Sequence, residues 1–147
     1  MTTATTDLHR VAAERLARDG QRYTAGRRTL VGVLAATTRP LTIAEIRARA
    51  EDLAQSSTYR NLTVLEQAGV VHRVVGTDEY ARFELDEELT GHHHHLICSR
   101  CGRVEDVDLG PDLEAALDTA VARAARRSGF SVGSHRLDLL GVCPACR

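Results

Sequence analysis

Apolar positions in the first half of the chain recur with a helical period, and glycine, proline and polar residues punctuate the runs. Leu8, Val11, Ala12 and Leu16 fall on one helical face with Arg15 beside them, and Gly20 closes the run. Thr24 is placed to cap a second helix whose apolar face is Leu30, Val31, Val33 and Leu34. Arg39-Pro40 breaks the chain after it. Thr42 and Glu45 then form a T-x-x-E capping box that opens a third helix, with Ile43, Ile46 and Ala50 inward. Ser56 or Ser57 caps a fourth, which carries Leu62, Leu65 and Ala68 on one side and ends at Gly69, a natural left-handed C-cap.

After Gly69 the period shortens to two. Residues 70–75 and 80–85 read as paired strands around Gly76-Thr77-Asp78-Glu79. Three helices, a recognition-like helix and a hairpin predict a winged helix-turn-helix over residues 1–86. Asp86 to Gly91 is polar and marks the boundary. Residues 87–147 predict strands at His93–Cys98, Arg103–Leu109 and His135–Val142, and a helix at Pro111–Arg127 with Pro111 at its first position. The expected class is α+β: a winged helix-turn-helix followed by a small α/β unit. That unit is too small to be comfortable alone, so its strand edges are expected to pair across a two-fold axis in a homodimer.

Composition refines this picture. Aromatic residues make up 3% of the 147 positions and Trp is absent, so Leu, Val and Ala must fill the core. All the positive charge is on Arg, which suits bidentate contacts to phosphate and guanine. The net charge of -1 excludes a broadly basic nucleic-acid coat, but the balance is uneven. Residues 1–60 carry ten Arg against six acids, and residues 87–147 carry seven against nine, which fits a local DNA-contact surface at the front. Met1 to Asp7 lacks the pattern of a secretory signal and no run is apolar enough to span a bilayer, so a cytoplasmic chain with no membrane partner is expected.

The candidate chemistry is concentrated after residue 90. Cys98-Ser-Arg-Cys101 and Cys143-Pro-Ala-Cys146 are two CxxC pairs, each able to present two thiolates from one tight turn. Together they complete the tetrahedral four-sulfur shell of a structural zinc site, whose binding energy would be part of folding. A redox dithiol would not need the second pair. His92-His93-His94-His95 precedes the first pair. On a strand, His93 and His95 face one way and His92 and His94 the other, so the run offers two ligand pairs, each needing partners. Those partners could come from His72, Glu84, Asp106, Glu114 and His135; imidazole with carboxylate suits Zn, Fe(II), Mn, Ni or Co. No HExxH or comparable pairing supplies an open metal position with a base, so an enzyme, or any small organic substrate, is not expected.

The run Ser57-Thr58-Tyr59-Arg60-Asn61-Leu62, then H-H-H-H-L-I-C-S-R-C-G at 92–102, then S-H-R-L-D-L-L-G-V-C-P-A-C near the end, resembles the ferric uptake regulator (Fur) family across nearly the whole chain. The resemblance implies a homodimeric, metal-dependent repressor of operator DNA. It assigns Cys98, Cys101, Cys143 and Cys146 to structural zinc. It assigns His92, His94, Glu114 and His135 to a second site in the dimerisation domain. His93, His95 and Glu84, with His72, match an interdomain sensing site in which Asp106 is an alternative ligand. Iron and peroxide sensors commonly draw a His from the stretch before the third helix, where this chain has Ala35-Ala36-Thr37-Thr38-Arg39-Pro40-Leu41. Zinc sensors draw a ligand from the first wing strand, where His72 sits, though they often use a Cys and none is spare here. The resemblance therefore favours regulatory zinc, with Fe2+ or Mn2+ and an iron-responsive or peroxide-sensing role as the alternative. Tyr59, Arg60 and Thr63 of the fourth helix, with Ser57 and Thr58 at its start, are the expected DNA contacts, and Arg22, Arg27 and Arg28 the expected phosphate contacts.

Overall fold

The structure, a computed structural model, describes residues 2–147, with side chains from Asp7 onward. Helices α1 (Thr2–Arg18), α2 (Ala25–Ala35), α3 (Ile43–Arg49) and α4 (Gln55–Gln67) pack around a core that includes Leu16, Leu30, Val31, Ile46, Leu62 and Leu65. The caps follow the sequence at α2, where the Thr24 hydroxyl accepts from the Arg27 N–H, and at α3, where Thr42 and Glu45 form the reciprocal box.

The start of α4 differs from expectation. Ala54 is the N-cap, no side chain caps the helix, and Ser56 and Ser57 lie within its first turn. The earlier start aligns Thr58, Leu62 and Leu65 as one buried stripe, with the Thr58 hydroxyl donating to the Ala54 carbonyl. Burial of that stripe decides the helix register.

A short strand, β1 (Leu41–Thr42), was not legible as a separate element. It pairs with β3 (Ala81–Leu85), which pairs in turn with β2 (Val71–Val75), giving an antiparallel sheet of order β1-β3-β2. The period of two gives this sheet two distinct faces. Val71, Phe83 and Leu85 face the helical core. The pairs His72↔Glu84 and Val74↔Arg82 face the opposite way, toward the second half of the chain.

The polar segment expected as a boundary holds one helical turn, α5 (Glu87–Thr90), capped by the Asp86 side chain. Beyond it, β4 (His94–Cys98) is the centre of a second sheet, antiparallel to β5 (Val104–Val107) and parallel to β6 (Asp138–Gly141). Helix α6 (Pro111–Ser128) joins β5 to β6, opening on Pro111 and closing at Gly129 in the left-handed conformation. The observed strands are shorter than expected, and the chain ends in a 3-10 turn at Pro144–Cys146. Val74 of the first sheet packs with Ile97 and Val104 of the second in a small apolar cluster that joins them.

No residue of α6 is buried; Leu113 on it, Phe130 and Val132 after it, Leu140 on β6 and Val142 after β6 are exposed. Among the described residues no helix is long and apolar enough to cross a membrane.

Candidate metal centres and nucleic-acid face

Among the described residues three groups of potential ligands form, each with its donor atoms within 4.8 Å of one another. The first is Cys98, Cys101, Cys143 and Cys146. The turn after β4 supplies one pair and the turn after the parallel strand β6 the other, because Cys98 and Gly141 are neighbours in register. Cys101 Sγ lies 3.7 Å from Cys143 Sγ. A tetrahedron with zinc–sulfur bonds of about 2.3 Å has edges of about 3.8 Å, so the donor spacing fits zinc. Backbone N–H groups of Cys143, Cys101 and Arg100 hold the Cys98 thiol down to about 6. The Cys143 and Cys101 sulfurs push Cys146 up to about 12. Four thiols so close cannot all ionise without a cation among them.

The second group is His92, His94, Glu114 and His135. His92 Nε2 is 3.2 Å from His135 Nε2, and both are 3.4 Å from Glu114 Oε2. The buried His94 reaches Glu114 Oε1 at 2.7 Å, and its Nδ1 has no partner. Glu114 stands one turn into α6, so the helix delivers the carboxylate, β4 delivers His94, and the segments leading into β4 and β6 deliver His92 and His135.

The third group is Glu84, His93, His95 and Asp106, drawn from both halves of the chain. Glu84 Oε2 is 3.1 Å from both His93 Nε2 and His95 Nε2, and Asp106 Oδ1 is 3.8 and 4.0 Å from the same nitrogens. Bonds of about 2.1 Å give tetrahedral edges of about 3.4 Å, a value these distances bracket. Burial alone would raise the Glu84 carboxyl, but hydrogen bonds from His95 and His93 outweigh it and hold the carboxyl below the usual range. Burial opposes the charged forms of His93 and His95, yet both titrate above ordinary histidine. For His93 the Gly91 carbonyl and Glu84 prevail, and for His95 chiefly Glu84. Burial raises Asp106.

His72 is outside this group. It lies opposite Glu84 in the strand pair, but its Nε2 pairs with Asp86, a carboxylate itself anchored by Arg15 at 2.9 Å. Asp106 takes the fourth place in its stead.

Sequence reasoning missed the groups that aim the imidazoles. His93 turns its Nδ1 to the Gly91 carbonyl at 3.0 Å, His95 to Asp138 Oδ1 at 3.2 Å and His92 to Glu87 Oε2 at 2.7 Å. Each leaves Nε2 directed into its cluster, the arrangement that fixes tautomer and ring orientation in metal-binding histidines. Asp138 is beside His95 only through the parallel β4–β6 register, which no local pattern announces.

Tyr59, Arg60 and Thr63 are exposed on α4, and Thr63 donates to the Tyr59 carbonyl. Thr58 is fully buried and cannot reach a partner molecule, and Ser57 is half-buried beside it. Arg22 is exposed. Arg27 braces α2 against α4 through Asn61 Oδ1 at 3.2 Å and bonds the Arg22 carbonyl at 2.6 Å, so it is not a free phosphate contact. Arg28 is exposed, its guanidinium 5.9 Å from the Tyr23 ring centre. Tyr80, an exposed hairpin residue not singled out from sequence, lines a groove of about 650 Å³ with Arg47, Tyr59 and Thr63.

Residues 18–140 match the model of the ferric uptake regulator family. The chain belongs to this family. Among relatives, the ferric uptake regulation protein of Legionella pneumophila is 34% identical over 66% of this chain and 66% of its own length. The peroxide operon regulator of Bacillus subtilis is 33% identical over 65% of this chain and 60% of its own. The matched stretch thus spans just under two thirds of these regulators. In fold, this Fur-family chain is similar to the Helicobacter pylori ferric uptake regulator, whose structure reveals three functional metal-binding sites. The TM-score is 0.73 at 22% identity, covering 97% of this chain and 93% of the other.

Proposed function

We propose that this Fur-family protein is a cytoplasmic, metal-dependent transcriptional repressor that binds operator DNA as a homodimer and controls metal-uptake genes. Residues 1–86 serve as the DNA-binding domain and 87–147 as the dimerisation and metal-binding domain. The observation that carries the reading is the third cluster. Glu84 comes from the winged unit, while His95 on β4, Asp106 on β5 and His93 just before β4 come from the second unit. These donors converge at one angle between the units, and a bound cation supplies the positive charge that holds them together. In a dimer, that angle sets the separation of the two α4 helices, which must suit half-sites about 34 Å apart or a multiple of it. Metal and operator affinities are then reciprocally coupled, by about 1–3 kcal/mol.

The four cysteines hold structural zinc, and His92, His94, Glu114 and His135 form a second regulatory site. Zinc is favoured at the sensing cluster because four N/O donors with tetrahedral spacing complete its shell, and the stretch 35–41 adds no ligand. Tyr59, Arg60, Thr63 and Tyr80 are the duplex contacts, with Arg22 and Arg28 on phosphate. The exposed apolar residues on and after α6 and β6 meet those of a second copy. Operator-shift assays on metal-uptake promoters, run with each metal and with chelator, test the reading. Zinc-dependent retardation is expected, and metal-independent binding refutes it.

One observation favours an iron-based peroxide sensor as a second reading. A cleft of about 880 Å³ opens onto Glu84, His93 and Asp106 and is wide enough to admit a small oxidant. Mass spectrometry of iron-loaded protein after peroxide would then find oxidised His93 or His95.

A further inference from the structure

The face of the first sheet that carries Glu84 makes two more contacts with the second unit. Val74 packs on Ile97 and Val104. Beyond it, the hairpin tip rests on the turn between Cys98 and Cys101. The Thr77 hydroxyl donates to the Cys98 carbonyl at 2.7 Å, and the same carbonyl accepts from the Gly102 N–H at 3.0 Å. Asp78 lies flat against Gly102, so closely that a Cβ there would stand 2.1 Å from Asp78 Oδ2 and 2.8 Å from Asp78 Cβ. Gly102 also has a φ of +74°, which favours glycine.

Asp78 cannot swing aside freely. Both of its oxygens are gripped by Arg82, at 2.7 and 2.8 Å, and Arg82 is itself only 7% exposed. The Arg82 charge is held chiefly by Asp78, with smaller attractions from Glu45 and the Cys101 sulfur.

We propose that Asp78 is a positioning residue for operator binding: clamped by Arg82 against Gly102, it locks the hairpin tip onto the cysteine turn and fixes the winged unit at a second point besides the sensing cluster. The proposal rests on the metal-dependent operator binding set out above. Its logic is that of a panel held at two points. Arg82 and Glu84 are two residues apart on one strand face, so with both engaged the winged unit cannot pivot about the ligands alone. Protein lacking regulatory metal then keeps part of the orientation that suits DNA, and the cysteine site contributes to operator affinity through the hairpin.

The test uses the full chain with its cysteine zinc retained, verified by metal analysis, and three variants: Asp78→Ala, Gly102→Ala and Thr77→Val. Amide hydrogen exchange over residues 74–82 is expected to accelerate about tenfold in the first two and less in the third. The ratio of operator affinities with and without zinc at the sensing cluster is expected to rise about three- to tenfold, mostly through loss in the metal-depleted state. Thr77→Val removes only a hydroxyl at the rim and carries the test if Gly102→Ala sheds zinc. Unchanged exchange across the tip overturns the proposal, as does an unchanged affinity ratio. Tighter binding by Asp78→Ala at every metal level, with a steeper salt dependence, also overturns it, since that marks an acid merely facing phosphates. If the unaltered protein binds its operator equally with and without metal, the functional reading fails, and hydrogen exchange still decides the clasp.

Discussion

Proton competition at the sensing cluster gives a quantitative prediction. His93 and His95 both aim Nε2 at Glu84, and both titrate above the ordinary histidine value. Each must lose its proton before that nitrogen can ligate. An imidazole of ordinary pKa, about 6.5, loses about tenfold in apparent metal affinity between about pH 7.5 and about pH 5.5. Two such groups give about a hundredfold, or about 2.7 kcal/mol. Because both values are raised, that figure is a floor, and full protonation of both throughout the interval sets a ceiling of about ten-thousandfold. Glu84, held low, stays ionised and adds nothing, whereas the raised Asp106 can only steepen the fall. Calorimetric zinc titration of a His135→Ala variant, with the second cluster disabled and the cysteine site full, isolates the effect. A fall smaller than about a hundredfold would refute the assignment of both imidazoles as ligands.

Further outcomes follow from the same geometry. Without sensing metal, the raised His93 and His95 values mean that their contribution to stability is fully present below about pH 6.5 and lost as pH climbs through the raised values. Denaturant midpoints of metal-depleted protein should therefore decline as pH rises past about 6.5 and through the raised values, and Glu84→Gln should flatten that decline. Thr58→Val should lower stability by about 1 kcal/mol in urea titrations, because a buried hydroxyl loses its bond to the Ala54 carbonyl. Arg60→Ala should leave the urea midpoint in place, weaken operator binding and reduce the salt slope by about 0.9 if its contact is a phosphate. Leu140→Asp, at an exposed position of β6, should shift sedimentation toward monomer; an undisturbed dimer would place the interface elsewhere.

Much of this architecture was legible because its signals are local. The capping box at Thr42, the left-handed glycine at Gly69, the strand period after it and the paired CxxC turns each announce themselves within a few residues. What escaped depends on register or on tertiary burial. Serine chemistry pointed to Ser56 or Ser57 as the cap of α4, but burial of Thr58 with Leu62 and Leu65 moved the start to Gln55. His72 has the residue type and the strand position of a ligand. Asp86, fixed by Arg15 from α1, draws it away, and that partner lies 71 positions from Asp86 in sequence. The roles of Asp138 and Glu87 required knowing which strand lies beside β4 and where α5 turns.

The alternation of His92 through His95 constrains how this protein can change. The imidazoles serve two clusters on opposite sides of a single ribbon, so deleting or inserting one residue within the run would exchange the two sets of neighbours at a stroke. Neither carboxylate partner could follow, since Glu84 and Glu114 are carried by separate elements. Length variation there is therefore confined to even steps, whereas substitutions can retune either cluster while leaving the other intact.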